Sequence, residues 1–260
     1  MSNNGNELKL KGKLIITGTI KLITGLHIGN TSETLKIGGQ DNPVIKDKTG
    51  MVFIPGSSLK GKIRSLLEIS GYSGKKYSSN SNQDGNSNQD GKPCDCGDCE
   101  ICKIFGPHDS KKIKEPRRVI VRDGYIKVKD MNELYEKLET KAENTIDRVR
   151  GTTAKGGIRI TERVCAGAEF DYEVIFNIYK KEDKKLIDIF LTGMKLLEDD
   201  YLGGSGSRGY GKIKFKNLKV EYRSKNFYEG EKDNSSFEQQ INNIDELKEK
   251  LEEIFEKMIN

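Results

Sequence analysis

From Leu8 to Leu22 the apolar residues Leu8, Leu10, Leu14, Ile16, Ile20 and Leu22 hold even positions, with Lys9, Lys11, Lys13, Thr17, Thr19 and Lys21 between them. Period-two alternation predicts a half-buried strand. After Pro55-Gly56 the period changes: Leu59, Ile63, Leu66 and Leu67 recur at helical spacing behind Ser57 and Ser58, two N-cap candidates. Val119 and Val121 lead into Asp123-Gly124, a hairpin-turn pair, and Tyr172, Val174, Phe176 and Ile178 alternate as a further strand. Ile187, Phe190, Leu191, Met194 and Leu197 mark a second amphipathic helix, followed by a strand from Ile213 to Tyr222. The order predicts an α+β fold, two β-α-β halves of a ferredoxin-like, RRM-like core with insertions. Parallel α/β winding fits less well, because the halves hold hairpin-like strands and long interruptions.

The core is expected over residues 8–223. Residues 78–92 repeat Ser-Asn-Gln-Asp-Gly at 81 and 87 with almost no apolar side chains, which predicts a disordered loop. Residues 224–260 read as a polar linker followed by an acidic amphipathic helix carrying Ile244, Leu247, Leu251, Ile254, Phe255 and Met258, able to pack on the body or on a neighbour.

Charge sharpens this picture. The chain carries +5 overall, but residues 229–260 hold ten acidic residues against four lysines, so the remaining body has 41 basic and 30 acidic residues. A body of net +11 suits polyanion partners through phosphate neutralisation, although a lysine-rich surface of a heat-adapted protein has the same composition. No apolar run approaches the ~20 residues needed to span a bilayer, and the N-terminal Met-Ser-Asn-Asn-Gly-Asn-Glu lacks a signal-peptide core, so a cytoplasmic protein without membrane association is expected.

Cys94, Cys96, Cys99 and Cys102 place four thiols in nine residues of a 93–110 insertion, with His108 six residues on. Structural zinc is the leading reading, since closely spaced thiolates can wrap a tetrahedral ion and close a loop with little core of its own. An iron–sulfur cluster uses the same ligands, and His108 is able to replace Cys94 or Cys96. Cys165 reads as a small buried residue. Gly204-Ser-Gly-Ser-Arg-Gly209 matches the dinucleotide pattern G-x-G-x-x-G, but a helix precedes it and a strand follows, which rejects the Rossmann reading. Gly204, Ser205, Ser207 and Arg208, with Lys212, still form a backbone that can approach phosphates closely. The helix starting at Ser57 offers free N–H groups to a phosphate, with Lys60 and Arg64 one turn apart on one face. No hydrolase triad, H-E-x-x-H or Walker A motif occurs. Asp41, between Gly-Gly-Gln and Asn-Pro, is open to a turn-forming or a chemical role.

Thr24-Gly-Leu-His-Ile-Gly29, Gly38-Gly-Gln-Asp-Asn-Pro-Val-Ile-Lys46, Ile54-Pro-Gly-Ser-Ser-Leu-Lys-Gly-Lys-Ile-Arg-Ser65, Glu143-Asn-Thr-Ile-Asp-Arg148 and Leu202-Gly-Gly-Ser-Gly-Ser-Arg-Gly-Tyr-Gly-Lys212 occur in this order. Together they resemble the repeated backbone subunit of type III-A CRISPR effector complexes, within the RAMP superfamily. The resemblance implies an RRM-like core, filament assembly with further copies along a guide RNA beside other type III-A subunits, and cutting of bound target RNA at regular intervals. It assigns cleavage to Asp41, and guide contacts to His27, Lys60 and Arg64. It also implies a thumb hairpin over 144–170, carrying Arg148, Arg150, Lys155, Arg159 and Arg163, that wedges into the guide–target duplex. A divalent cation such as Mg²⁺ is expected for cleavage. The alternatives are an inactive RNA-binding scaffold of the same complex and a guide-processing RAMP nuclease using His27. The Ser-Asn-rich insertion and the acidic tail depart from the family pattern.

Overall fold

Leu14, Ile16, Ile20 and Leu22 are buried along β1 (Gly12–Leu22), whose even positions face the core. The computed structural model describes residues 8–29, 42–74, 91–230 and 236–259. β2 (Phe53–Ile54) leads into α1 (Gly56–Leu67), and the short α2 (Glu100–Phe105) follows. Next come β3 (Val119–Val121), β4 (Gly124–Tyr125), α3 (Met131–Glu136) and a hairpin of β5 (Leu138–Ile146) and β6 (Thr153–Val164). β7 (Glu169–Ile178), α4 (Asp183–Asp199) and β8 (Ile213–Ser224) complete the core. α5 (Lys225–Tyr228), β9 (Ser236–Ile241) and α6 (Ile244–Ile259) end the described chain.

The main sheet runs β3-β7-β1-β8-β9, antiparallel throughout. Leaving out β9, the order of the four core strands is the ferredoxin-like one expected from the alternating β and α pattern. Leu14 pairs with Phe176 and Tyr222, and Ile16 with Val174 and Val220, so one parity of each strand builds a single apolar face. α1 and α4 cover that face. They cross closely at Gly193, where a Cβ would stand 2.7 Å from Ile63 and 2.8 Å from Leu67, which is why a glycine sits mid-helix. α6 packs on this body: Leu247, Leu251, Ile254 and Phe255 are buried, and Lys248 of α6 reaches Asp188 of α4 at 3.2 Å.

Several local expectations change. Asp123-Gly124 does not close a hairpin between its neighbours, because β3 pairs with β7 while β4 pairs with β2. Asp123 instead accepts the Gly56 N–H at 2.7 Å, and Pro55 occupies the N-cap of α1 without a side-chain cap. Ser57 and Ser58 therefore lie in the first turn and cap nothing. The protruding hairpin spans 138–164, earlier than 144–170, because residues from Glu169 onward belong to β7 in the main sheet. The stretch beyond 224, expected as linker, supplies α5 and the fifth strand β9, whose Ile241 pairs with Leu218. Of the expected loop 78–92, residues 78–90 lie outside the described residues, as does Asp41.

Candidate nucleic-acid interface and metal centre

The turn after β1 and the glycine-rich segment after α4 are laced together through backbone atoms. Gly204 N–H donates to the His27 carbonyl at 2.9 Å, and Gly211 N–H to the Gly25 carbonyl at 2.9 Å. At Gly203 (φ +77°) a Cβ would come within 2.3 Å of the His27 oxygen, so only glycine allows this approach. Tyr201 supports the same loop from beneath: a Cβ on Gly206 would collide with its ring at 2.0 Å, and the Lys62 ammonium stands 3.7 Å from the ring centroid. Gly204, Ser207 and Arg208 are exposed on the loop, while Ser205 is half-buried and accepts a hydrogen bond from Arg208 at 2.7 Å.

His27 is half-buried, and its Nδ1 lies 2.7 Å from the Glu162 carbonyl. A carbonyl can only accept, so Nδ1 carries the proton and Nε2 is left for another partner. The Glu162 carboxylate, buried at the base of the hairpin, accepts from Val44 N–H at 2.8 Å and from the Lys46 ammonium at 3.1 Å. Its own N–H donates to the Asn42 carbonyl at 3.2 Å. The segment immediately after Asp41 is thus fixed to β6 beside His27. No sequence motif marks Glu162; only its three-dimensional partners reveal it.

The hairpin brings Arg163 to its base, where it pairs with Glu139 at 2.6 Å and lies over the Tyr210 ring. Arg159 is exposed opposite Glu143 in the strand register. At the tip, Asp147 accepts from the N–H groups of Val149 and Arg150, holding Arg148, Val149 and Arg150 in a tight exposed turn. Val149 is 95% exposed, the most open large apolar side chain among the described residues.

Lys60 and Arg64 face the 94–106 loop. Lys60 donates to the Phe105 carbonyl at 3.2 Å. Arg64 is committed further: it donates to Glu68 at 2.8 Å, to the Gly106 carbonyl at 3.0 Å and to the Cys94 carbonyl at 2.6 Å. Glu68 in turn accepts the Cys94 N–H at 3.0 Å. The expected pairing of Lys60 and Arg64 as equivalent outward contacts therefore changes, because Arg64 turns inward to clamp the loop. The Asp123 carboxylate accepts one N–H group at the start of α1, that of Gly56, at 2.7 Å.

The sulfur atoms of Cys94, Cys96, Cys99 and Cys102 all lie within 4.8 Å of one another. Cys94 and Cys99 are 3.7 Å apart, and Cys96 and Cys102 3.9 Å. Four thiolates bound at ~2.3 Å to one tetrahedral ion stand ~3.8 Å apart, so the spacing fits a single ion, whereas a disulfide would need ~2.05 Å. Burial opposes ionisation of Cys96, but N–H groups of Asp98 and Cys99 outweigh it and bring this thiol down to about 7. Burial pushes Cys99 and Cys102 up. His108 is exposed and stands outside the cluster, so among the described residues the four cysteines form a candidate donor set without it. Cys165, half-buried, is not part of it either.

A ferredoxin-like sheet flanked by a glycine-rich loop and a basic hairpin is a domain built to handle a polyanion. The family model described as RAMP superfamily matches residues 19–214, and the chain belongs to that superfamily. A "CRISPR system Cms endoribonuclease Csm3" of Methanocaldococcus jannaschii is 57% identical over 249 residues, 96% of this chain and 97% of that protein. The protein of the same name from Methanothermobacter thermautotrophicus is 41% identical and covers 86% of this chain and 92% of its own length. Among solved structures, one described as a "Csm3-Csm4 subcomplex in the type III-A CRISPR-Cas interference complex" is 46% identical with a TM-score of 0.65, covering 95% of this chain and 98% of that one. The Methanopyrus kandleri Csm3 crystal structure, 21% identical with a TM-score of 0.58 and covering 95% and 98%, shares the fold. No described helix is long and apolar enough to cross a membrane.

Proposed function

We propose that this chain is a guide-RNA-binding backbone subunit of a type III-A CRISPR interference complex and an endoribonuclease that cuts the target RNA paired to the guide. The observation that carries this reading is the convergence at one end of the central strands: His27, the 203–209 loop, the base of the arginine-bearing hairpin and the segment after Asp41 are joined by direct hydrogen bonds. Arg208 and the Gly204–Ser207 backbone suit guide phosphates, His27 offers Nε2, and Arg148, Arg159 and Arg163 line the hairpin that meets the guide–target duplex. Further copies along the guide would extend the assembly as a filament beside other type III-A subunits in the cytoplasm.

Asp41 is assigned the catalytic role. A carboxylate can orient the attacking 2′-hydroxyl or hold a divalent cation such as Mg²⁺, which when bound would stabilise charge on the phosphoryl oxygens. The four-cysteine centre holds structural zinc, which closes the 94–102 loop beneath α1. The test is Asp41→Asn in reconstituted complexes, comparing target cutting in Mg²⁺ and in EDTA. Asn keeps a turn-forming side chain, so cutting should be lost while guide and target binding persist. Undiminished cutting would falsify the catalytic assignment and leave an RNA-binding scaffold of the same complex.

A further inference from the structure

Three cations surround the Phe105–Gly106 turn, and their charges are balanced unequally. Arg64 is neutralised by Glu68. Lys60 is held by the Phe105 carbonyl, and among the described residues no carboxylate lies within ion-pair distance of it. Arg117 is exposed and likewise makes no ion pair with a described residue. Its stem lies against the same turn, since a Cβ on Gly106 would stand 3.9 Å from the Arg117 Cβ.

The backbone that presents Arg117 is held firmly. The next residue, Arg118, is fully buried, pairs with Asp183 at 3.0 Å and Glu115 at 2.7 Å, and donates its N–H to the Lys103 carbonyl at 3.1 Å. Alternation along the chain then turns Arg117 outward. Burial, then Arg117, then Arg64 push the Lys60 ammonium below its ordinary range, as expected where cations crowd without an anion. A phosphodiester placed between Lys60 and Arg117 would relieve that repulsion.

We propose that Arg117 and Lys60 together form a phosphate-binding site for the guide RNA, with Arg117 the partner that completes it and Arg64 the clamp that holds the turn beneath. This rests on the guide-binding reading above and adds to it a residue from a different part of the chain, beside the metal loop. One phosphate contact to single-stranded RNA is worth a salt slope of about 0.7, which is about fivefold in affinity at 0.1 M salt.

The test measures binding of the purified full chain to a labelled single-stranded RNA of guide length, by fluorescence anisotropy over a series of salt concentrations. Arg117→Ala should weaken binding about fivefold at 0.1 M salt and flatten the slope by about 0.7. Lys60→Ala should act similarly, Arg117→Glu should weaken binding further, and melting temperatures should stay within error of wild type. Lys219→Ala, on the opposite face of the sheet and paired with Glu238, serves as the charge-matched control and should bind normally. Wild-type affinity for Arg117→Ala alongside weakened Lys60→Ala would overturn the role of Arg117 alone. An equal loss in Lys219→Ala would reduce the effect to net charge and overturn the site. Absence of RNA binding by the wild-type chain would overturn the guide-binding reading itself.

Discussion

Replacing Arg64 by alanine separates a structural clamp from a surface contact. The guanidinium serves three acceptors on two segments, and the side chains of Arg64 and Glu68 are only 14% and 7% exposed. Removing one partner of a buried ion pair costs about 3–5 kcal/mol, and the residual exposure of Arg64 places the loss near the lower end, about 3 kcal/mol. With an unfolding entropy of about 2.1 cal/mol/K per residue, 260 residues give about 0.55 kcal/mol/K, so the melting temperature should fall by about 5–6 °C. Arg64→Lys is the informative companion, because an ammonium keeps the charge but cannot reach Glu68, Gly106 and Cys94 at once. It should recover little of the stability. Thermal melts by circular dichroism read both variants, with RNA affinity measured in parallel. A melting temperature within 1 °C of wild type for Arg64→Ala, joined to a loss of RNA affinity that Arg64→Lys restores, would show that Arg64 is an outward phosphate contact and that the clamp is energetically idle.

Protein prepared without chelator should carry about one zinc per chain, with X-ray absorption giving sulfur ligands at ~2.3 Å; finding neither zinc nor iron would remove the metal centre. Stripping the metal should loosen residues 94–106, read as faster amide exchange there, while the sheet remains protected. Asp183→Ala should cost about 3–5 kcal/mol and lower the melting temperature by roughly 5–9 °C without changing RNA affinity, because it removes the fully buried partner of Arg118. A smaller shift would mean that the pair contributes little beyond its own desolvation.

The legible parts of the fold are those with one buried face. β1, β7, β8, α1, α4 and α6 each place apolar side chains at a period that matches their final burial, so periodicity alone locates them. The hairpin of β5 and β6 escapes that test. Ile158 and Ile160 are 64% and 44% exposed, and most of both strands stands clear of the core, so no face is buried to impose alternation. β3 and β4 look like two arms of one hairpin because Asp123-Gly124 is good turn chemistry; the pairing partners that separate them, β7 and β2, are remote in sequence. The four thiols were readable because their spacing is local. Arg64 was visible as a cation at i+4 from Lys60, yet equally at i−4 from Glu68, and only the packed loop decides which relation governs its side chain.

The open face of the sheet bears on the proposed mode of RNA binding. An RRM stacks bases on aromatic side chains across the open face of its sheet. Here the outward positions of β1 and β7 are Lys13, Ile15, Thr17, Thr19 and Lys21, and Glu169, Asp171, Glu173, Ile175 and Asn177, with no aromatic among them; Tyr125 and Tyr228 reach this face only from outside those strands. Most cations of that face are already matched, Lys127 with Asp171 at 2.8 Å, Arg122 with Glu173 at 3.6 Å, Lys219 with Glu238 at 2.8 Å and Arg223 with Glu221 at 2.6 Å, whereas Lys13 donates to the Asn177 amide at 2.6 Å. By contrast, Arg148, Arg150 and Lys155 on the hairpin have no carboxylate within ion-pair distance among the described residues, and neither do Lys60 and Arg117 beside α1. Counterion release favours phosphates first at charges the protein leaves unbalanced; Arg163 and Arg208 would have to exchange Glu139 at 2.6 Å and Glu143 at 3.4 Å for RNA. The hairpin and the surface beside α1 thus both carry unbalanced positive charge. RNA following that charge would be held by its backbone, without the base-stacking platform of an RRM sheet, which suits a subunit that must accept any guide sequence.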